Sequence, residues 1–306
     1  MRSGVLVLIV GVVLLSADVR AQGQWPRFRG PSDGAVADDP RLPDHWSETE
    51  NVVWRAPIPG LGWSSPVVWN EHVFLTSAIS AGEERAPVTG LYDPGADSGA
   101  TSAAHTHRWV VYDIDFETGT VRWERELASA VPAIERHLKN SFASETPVTD
   151  GERVYVYFGT IGLAAALDFD GQVVWRRELG VYNGRQRFGT AASPALHDGR
   201  LYVVSDNITS SFLVSLDAAT GEEIWRADRD EVENWATPFV WENDLRTEIV
   251  TAGLRRVRSY GLDGELLWEL SGMTVNVVPT PFAREGLVYI SSGYPGGMPR
   301  LSLIHI

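Results

Sequence analysis

Apolar residues along this chain come in short runs: Val73-Phe74-Leu75, Val154-Tyr155-Val156-Tyr157-Phe158, Leu201-Tyr202-Val203-Val204 and Leu287-Val288-Tyr289-Ile290. Runs of this length, rich in β-branched and aromatic residues and bounded by Gly, Asp and Asn, predict strands. No long helical periodicity follows the N-terminus. A polar or small residue followed by proline and an apolar pair recurs as Ser65-Pro66-Val67-Val68, Thr146-Pro147-Val148, Ser193-Pro194-Ala195, Thr237-Pro238-Phe239 and Thr280-Pro281-Phe282, and most of these are followed by one of the runs. Proline is compatible with this because it opens a strand rather than occupying its middle.

A second phrase alternates with the first. It reads Asp115-Phe-Glu-Thr-Gly119-Thr-Val-Arg-Trp123, Asp168-Phe-Asp-Gly171-Gln-Val-Val-Trp175, Asp217-Ala-Ala-Thr-Gly221-Glu-Glu-Ile-Trp225 and Leu262-Asp263-Gly264-Glu-Leu-Leu-Trp268. The glycine always lies four residues before the tryptophan, and successive tryptophans are 52, 50 and 43 residues apart. That period marks a repeat array. The aspartate supplies a side-chain acceptor at the start of a turn and the glycine supplies positive φ, so the phrase predicts a hairpin. Each unit therefore reads as four short strands, and such units bury their faces only by stacking on one another, as blades do in a ring.

These residues resemble the repeat of the pyrroloquinoline-quinone (PQQ)-like β-propeller family. The likeness runs from Trp25 to nearly the end of the chain, and Trp25-Pro-Arg-Phe-Arg-Gly-Pro31 resembles the opening of family members from environmental bacteria. It implies an all-β propeller of four-stranded antiparallel blades, in which the tryptophan of one blade packs on the glycine turn of a neighbour. The superfamily holds both quinone dehydrogenases and propellers that only bind, so the likeness alone fixes no chemistry.

Composition narrows the setting. Arg2, the apolar stretch Val5 to Leu15 and Val19-Arg20-Ala21 read as a signal peptide over residues 1–21, cut after Ala21, which sends the chain to the periplasm or outside the cell. The apolar stretch falls short of the ~20 residues that span a bilayer, so no membrane insertion is expected after cleavage. There is no cysteine, hence no disulfide framework. The net charge is −14, and removing Arg2, Arg20 and Asp18 leaves −15. That acidity argues against a nucleic-acid or anionic-membrane partner.

Blade one is expected from about Ser65 to Glu126, blade two from Ser144 to Glu178, blade three from Ala192 to Arg229 and blade four from Ala236 to Leu270, with a fifth starting at Val278 and ending after its second strand. About four and a half blades are thus expected, where the resemblance implies seven or eight. Residues 22–300 form this incomplete ring. Asn51-Val-Val-Trp54 reads as the orphan outer strand of a closing blade. Leu301-Ser-Leu-Ile-His-Ile306 is what the transposase adapter of sequencing libraries encodes in frame, so residues 301–306 are expected to be a non-native tail.

Candidate chemistry sits in the segments that carry each tryptophan strand to the next proline strand, across one face around the channel. Arg136, His137, Lys139 and Asn140 form the densest group, followed by Arg185 and Arg187, then Arg229, Asn234 and Trp235, then Asn276. Cations and an imidazole gathered in an acidic chain suit an anionic or sugar-like ligand, or the carboxylates of a quinone, held by charge-assisted bonds. Asp206-Asn207-Ile-Thr-Ser210-Ser211 is a second polar knot, expected as a turn on the opposite face. His105-Thr-His107 could present two imidazoles on one strand face but has no third ligand nearby. Asp113, Asp115 and Glu117 superficially resemble a calcium loop, yet Gly119 belongs to the repeat turn and no bidentate glutamate follows.

Two functional classes follow. The favoured one is a non-catalytic exported propeller that binds a protein, peptide or carbohydrate through its loop face. The other, implied by the resemblance, is a PQQ-dependent dehydrogenase that oxidises an alcohol or sugar with calcium. The adjacent cysteine pair that many such dehydrogenases stack on the quinone is impossible here, and no Glu, Asn and Asp calcium set maps onto numbered positions.

Overall fold

The computed structural model describes residues 24–31, 42–83, 100–101, 104–254, 256–275, 277–292 and 300–305, and the expected leader and Asn276 lie outside them. The described residues form strands and no helix. The first sheet holds β1 (Val67–Trp69), β2 (His72–Ser80), β4 (His107–Asp115) and β5 (Val121–Ala130), in that order. Two short strands, β3 (Ala100–Thr101) and β6 (Arg136–His137), pair beside it. The second sheet is β7 (Val148–Thr149), β8 (Arg153–Phe158), β9 (Leu163–Asp168) and β10 (Val173–Glu178). The third is β11 (Ala195–His197), β12 (Arg200–Ser205), β13 (Ser211–Asp217) and β14 (Glu223–Arg229). The fourth is β15 (Phe239–Glu242), β16 (Thr247–Ala252), β17 (Arg256–Gly261) and β18 (Leu266–Ser271). All are antiparallel meanders, and the innermost strands β1, β7, β11 and β15 neighbour one another in turn.

The fifth unit corrects the count by one strand. Its strands β19 (Phe282–Arg284) and β20 (Leu287–Ser292) are joined by β21 (Arg300–His305), in register from Leu287 against His305 to Ser292 against Arg300. The segment expected to end the chain as a tail thus takes the third-strand place.

Strand alternation builds the cores between sheets. On β8, Val154, Val156 and Phe158 join Phe74, Trp109 and Val111 of the first sheet. The intervening Tyr155 and Tyr157 join Leu201, Val203, Phe212 and Val214 of the third. The same division repeats between the third and fourth sheets around Tyr202, Leu213 and Ile249, and between the fourth and fifth around Val250, Val257, Val288 and Ile290. Every interior blade is thus buried on both faces, which explains its near-continuous apolar runs.

The tryptophan phrase does what its spacing predicts. Trp123 Nε1 donates to Phe169 O at 2.8 Å, Trp175 Nε1 to Ala218 O at 2.9 Å and Trp225 Nε1 to Leu262 O at 2.8 Å. Each indole lies over the glycine of the next sheet's turn: Trp123 on Gly171, Trp175 on Gly221, Trp225 on Gly264. A bulge in the ladder beside each of these tryptophans supplies the twist that aims the ring at its neighbour. The turn chemistry also holds, since Asp115 Oδ1 accepts from the Glu117 and Thr118 amides and Asp217 Oδ1 from those of Ala219 and Thr220.

Asn51 to Trp54 is a partial correction. No strand forms there, yet Trp54 Nε1 donates to Phe116 O at 2.8 Å and its ring covers Gly119. Trp54, Ala56 and Ile58 then cover the first sheet's outer face over Val73, Val110 and Tyr112. The docking contact survives without a ladder because it needs only the indole.

Candidate functional site

A meander reverses direction at every turn, so the turn between strands two and three falls at the same end as the crossover to the next blade. Asp206-Asn207 therefore lies on the crossover face, not opposite it. Ile208 N donates to Asn183 O at 3.0 Å, and Asp206 accepts from Asn234 at 3.0 Å. The expectation for this knot is corrected by topology.

Most of the sequence-derived candidates meet on this face. The crossover from the first to the second sheet is fastened to the next one: His137 N donates to Phe188 O at 3.1 Å, and Asn140 Nδ2 to Phe188 O at 2.9 Å and Thr190 O at 3.2 Å. The following crossover joins in, with Trp235 Nε1 donating to Gly189 O at 2.8 Å and Gln186 N to Glu233 Oε2 at 2.8 Å. Trp235 N reaches Val277 O of the fourth crossover at 3.2 Å. At the centre, Phe188 stacks on Trp235 with ring centres 6.3 Å apart and meets His137 edge-on at 4.9 Å. These three rings are half-buried, while Lys139, Arg185 and Arg187 beside them are exposed. Arg187 pairs with Glu135 at 3.3 Å. Burial, then the charges of Lys139 and Arg136, push the His137 imidazole below its usual range, which favours the neutral ring at neutral pH.

Arg136, Arg229 and Asn234 face inward and brace the site instead of presenting their polar groups to solvent. Arg136 lies over the Phe142 ring and donates to Asn140 O at 2.6 Å. Arg229 makes a two-pronged pair with Asp206 at 2.7 and 3.0 Å, and its remaining nitrogen donates to Thr251 Oγ1 and Tyr260 Oη. Carboxylates cluster beside it: Glu231 bonds Arg258, which also holds Asp230 and Glu269. A cation this deep is stable only when fully paired.

Sequence reasoning noted the Ser/Thr-Pro landmark as a strand opening and missed what it does. The amide of Ser65 donates to Thr146 Oγ1 at 2.9 Å, Thr146 N to Ser193 Oγ at 2.9 Å, Ser193 N to Thr237 Oγ1 at 3.1 Å and Thr237 N to Thr280 Oγ1 at 3.1 Å. This hydroxyl relay links all five sheets where the inner strands begin. The signal was present as the constancy of a hydroxyl before each proline. Glu145, beside the relay, is buried; its Oε1 accepts from Gly159 N at 3.1 Å and its Oε2 has no hydrogen-bond partner. Burial pushes its carboxyl up to about 7.

His107 and Asp115 of the two metal patterns are otherwise engaged. His107 is buried against Trp109 and Phe142 with Nδ1 2.9 Å from His105 O, and Asp115 is occupied by its turn. Among the described residues no three His, Cys, Asp or Glu side chains converge to hold an ion. No helix among the described residues is long and apolar enough to cross a membrane.

A family model described as outer membrane protein assembly factor BamB matches residues 160–298. A polyvinylalcohol dehydrogenase from a Pseudomonas species is 23% identical over 270 residues, covering 78% of this chain. The chain spans only 38% of that dehydrogenase's length. Among solved structures, BamB from Moraxella catarrhalis is similar with a TM-score of 0.41 and 14% identity, covering 80% of this chain and 73% of that one. The quinohemoprotein alcohol dehydrogenase of Comamonas testosteroni is similar with a TM-score of 0.45 and 15% identity, covering 81% and 40%. In its repeats, and over residues 160–298 by the family match, the chain is similar to the PQQ-like β-propeller repeat proteins.

Proposed function

We propose that this chain is an exported, non-catalytic binding module that engages a protein, peptide or carbohydrate through its crossover face. The observation that carries the reading is the fastening of successive crossovers into one surface, with the half-buried row His137, Phe188 and Trp235 edged by exposed Lys139, Arg185 and Arg187. Flat rings with flanking cations on a rigid base make a platform that contacts a ligand with little ordering cost. The family's description as an outer membrane assembly factor supports a scaffold role outside the cytoplasm.

The test is an array of immobilised peptides and polysaccharides probed with the purified protein and with a variant carrying Lys139→Glu and Arg187→Glu. Saturable binding that falls at least tenfold in the variant supports the reading. Equal binding by both proteins counts against it.

A second reading is favoured by the similarity to polyvinylalcohol dehydrogenase: a quinone-dependent oxidation of an alcohol or sugar. Supplied with PQQ and calcium, the protein would then reduce a dye when given polyvinyl alcohol.

A further inference from the structure

Residues 25–31 stand apart from the repeats, yet they bond to the first, second and fifth units and share a cavity with the inner strands of the third and fourth. Trp25 N donates to Val68 O at 2.8 Å and Val68 N returns a bond to Trp25 O at 2.9 Å, which lengthens the axis-facing edge of β1 by one bridge. Thr149 N of β7 donates to Pro26 O at 2.9 Å. Arg27, Phe28 and Arg29 line a cavity of ≈ 40 Å³ together with Pro194 and Ala195 of the third unit, Thr237 to Val240 of the fourth, and Thr280 and Pro281 of the fifth. Arg29 donates to Thr280 O at 3.5 Å, and its guanidinium stands 5.6 Å above the centre of the Phe282 ring.

The segment is also braced against itself. Arg27 Nε donates to Gly30 O at 3.1 Å and its Nη2 to Pro31 O at 2.8 Å, while Gly30 N donates to Arg27 O at 3.0 Å. The Trp25 ring closes over Gly30, which has a φ of +88° and where a Cβ would sit 2.8 Å from the indole. Glycine is the residue that meets both demands. The result is a folded hook rather than a loose tail.

An innermost strand has one edge facing the axis, and its free amides and carbonyls there must find partners. A peptide that supplies main-chain groups to such edges and side chains to the gaps between them is bound in the manner of strand addition. We propose that the axis-facing surface of this arc is a peptide-binding groove, and that residues 25–31 are its ligand in cis. Recognition rests on the Trp-Pro main chain against β1 and β7 and on an arginine at position 29 against Thr280 and Phe282. Whatever else enters the channel at this level must displace the hook. No crossover-face residue takes part, so the inference stands or falls independently of the proposed function.

The experiment uses the full chain with a specific protease site inserted between residues 31 and 42. After cleavage and removal of the released segment, a fluorescein-labelled peptide of residues 24–31 is titrated by anisotropy. Saturable one-to-one binding is expected, weakened at least tenfold by Arg29→Ala or Gly30→Ala in the peptide, and absent with the uncut protein, whose own hook fills the groove. Equal binding of a scrambled peptide, binding to cut and uncut protein alike, or no binding to a folded cut protein would overturn the proposal. If the cut chain unfolds, hydrogen exchange on uncut Arg29→Ala decides. The Val68 and Thr149 amides should exchange at least tenfold faster than in the parent while β13 amides are unchanged, and unaltered protection at both would overturn it.

Discussion

Trp175 and Gly221 are locked together across the boundary between the second and third sheets: the indole lies over the glycine, and its Nε1 donates to Ala218 O at 2.9 Å in the same turn. Gly221 has a φ of +74°, and a Cβ there would sit 2.6 Å from the ring. The four-residue spacing of the repeat is thus the distance from a hairpin's glycine to the ring that docks on the next hairpin.

Gly221→Ala should cost roughly 2–4 kcal/mol in urea unfolding, combining left-handed backbone strain with overpacking. Gly199 is the internal control. Its φ is +68° with nothing within 4 Å of the added Cβ, so Gly199→Ala should cost only the backbone part, about 1 kcal/mol.

The hydroxyl relay predicts that Ser193→Ala is destabilising out of proportion to its size. Thr146 N loses its acceptor in a buried place, a penalty of about 1–3 kcal/mol. Ser193→Thr should be nearly neutral, because threonine fills the equivalent place at positions 146, 237 and 280. Equal losses for the two variants in chemical denaturation would contradict the relay.

Removing Asp206 alone strands the buried Arg229 guanidinium. Asp206→Ala should therefore lose about 3–5 kcal/mol, and Arg229→Met combined with Asp206→Leu should recover much of it. A double-mutant cycle in urea measures the coupling. Additive losses would remove the pair from the account.

Glu145 gives the stability a pH dependence of definite sign. Burial pushes its folded-state carboxyl up to about 7, above the ~4.3 of an unfolded chain. Between these values the native state keeps a proton that the unfolded state has released, so stability falls as pH rises and then levels off above about 7. Glu145→Gln keeps the carbonyl that accepts from Gly159 N and removes the slope. Relative to the parent, it should gain roughly 2–3 kcal/mol between pH 5 and pH 8, read from urea midpoints at each pH.

The repeat was legible because its physics is local. Asp115, Gly119 and Trp123 sit within nine residues, and the strand runs carry both faces of a blade in their alternation. Their place in the cores followed directly. The crossover face was legible only as a list: Phe188, which joins His137 to Trp235, is one more aromatic in a polar segment, and nothing local marks it. Arg229 looked like its exposed neighbours because its partners Asp206, Thr251 and Tyr260 lie 22 to 31 residues away. The placement of Asp206 went wrong for a simpler reason, the direction count of a meander. The hook at Trp25 to Pro31 was seen only as a family likeness, since its contacts reach as far as Thr280.

The claim that the crossover face is the working surface is tested most directly by site-specific photo-crosslinking in the source cells. A benzophenone amino acid placed at Lys139, at Arg187, and at Asp198 in the exposed turn between β11 and β12 at the opposite end samples both faces of one molecule. The account predicts discrete adducts from positions 139 and 187 and none from 198. Adducts from 198 alone, or an equal pattern from both ends, would contradict it.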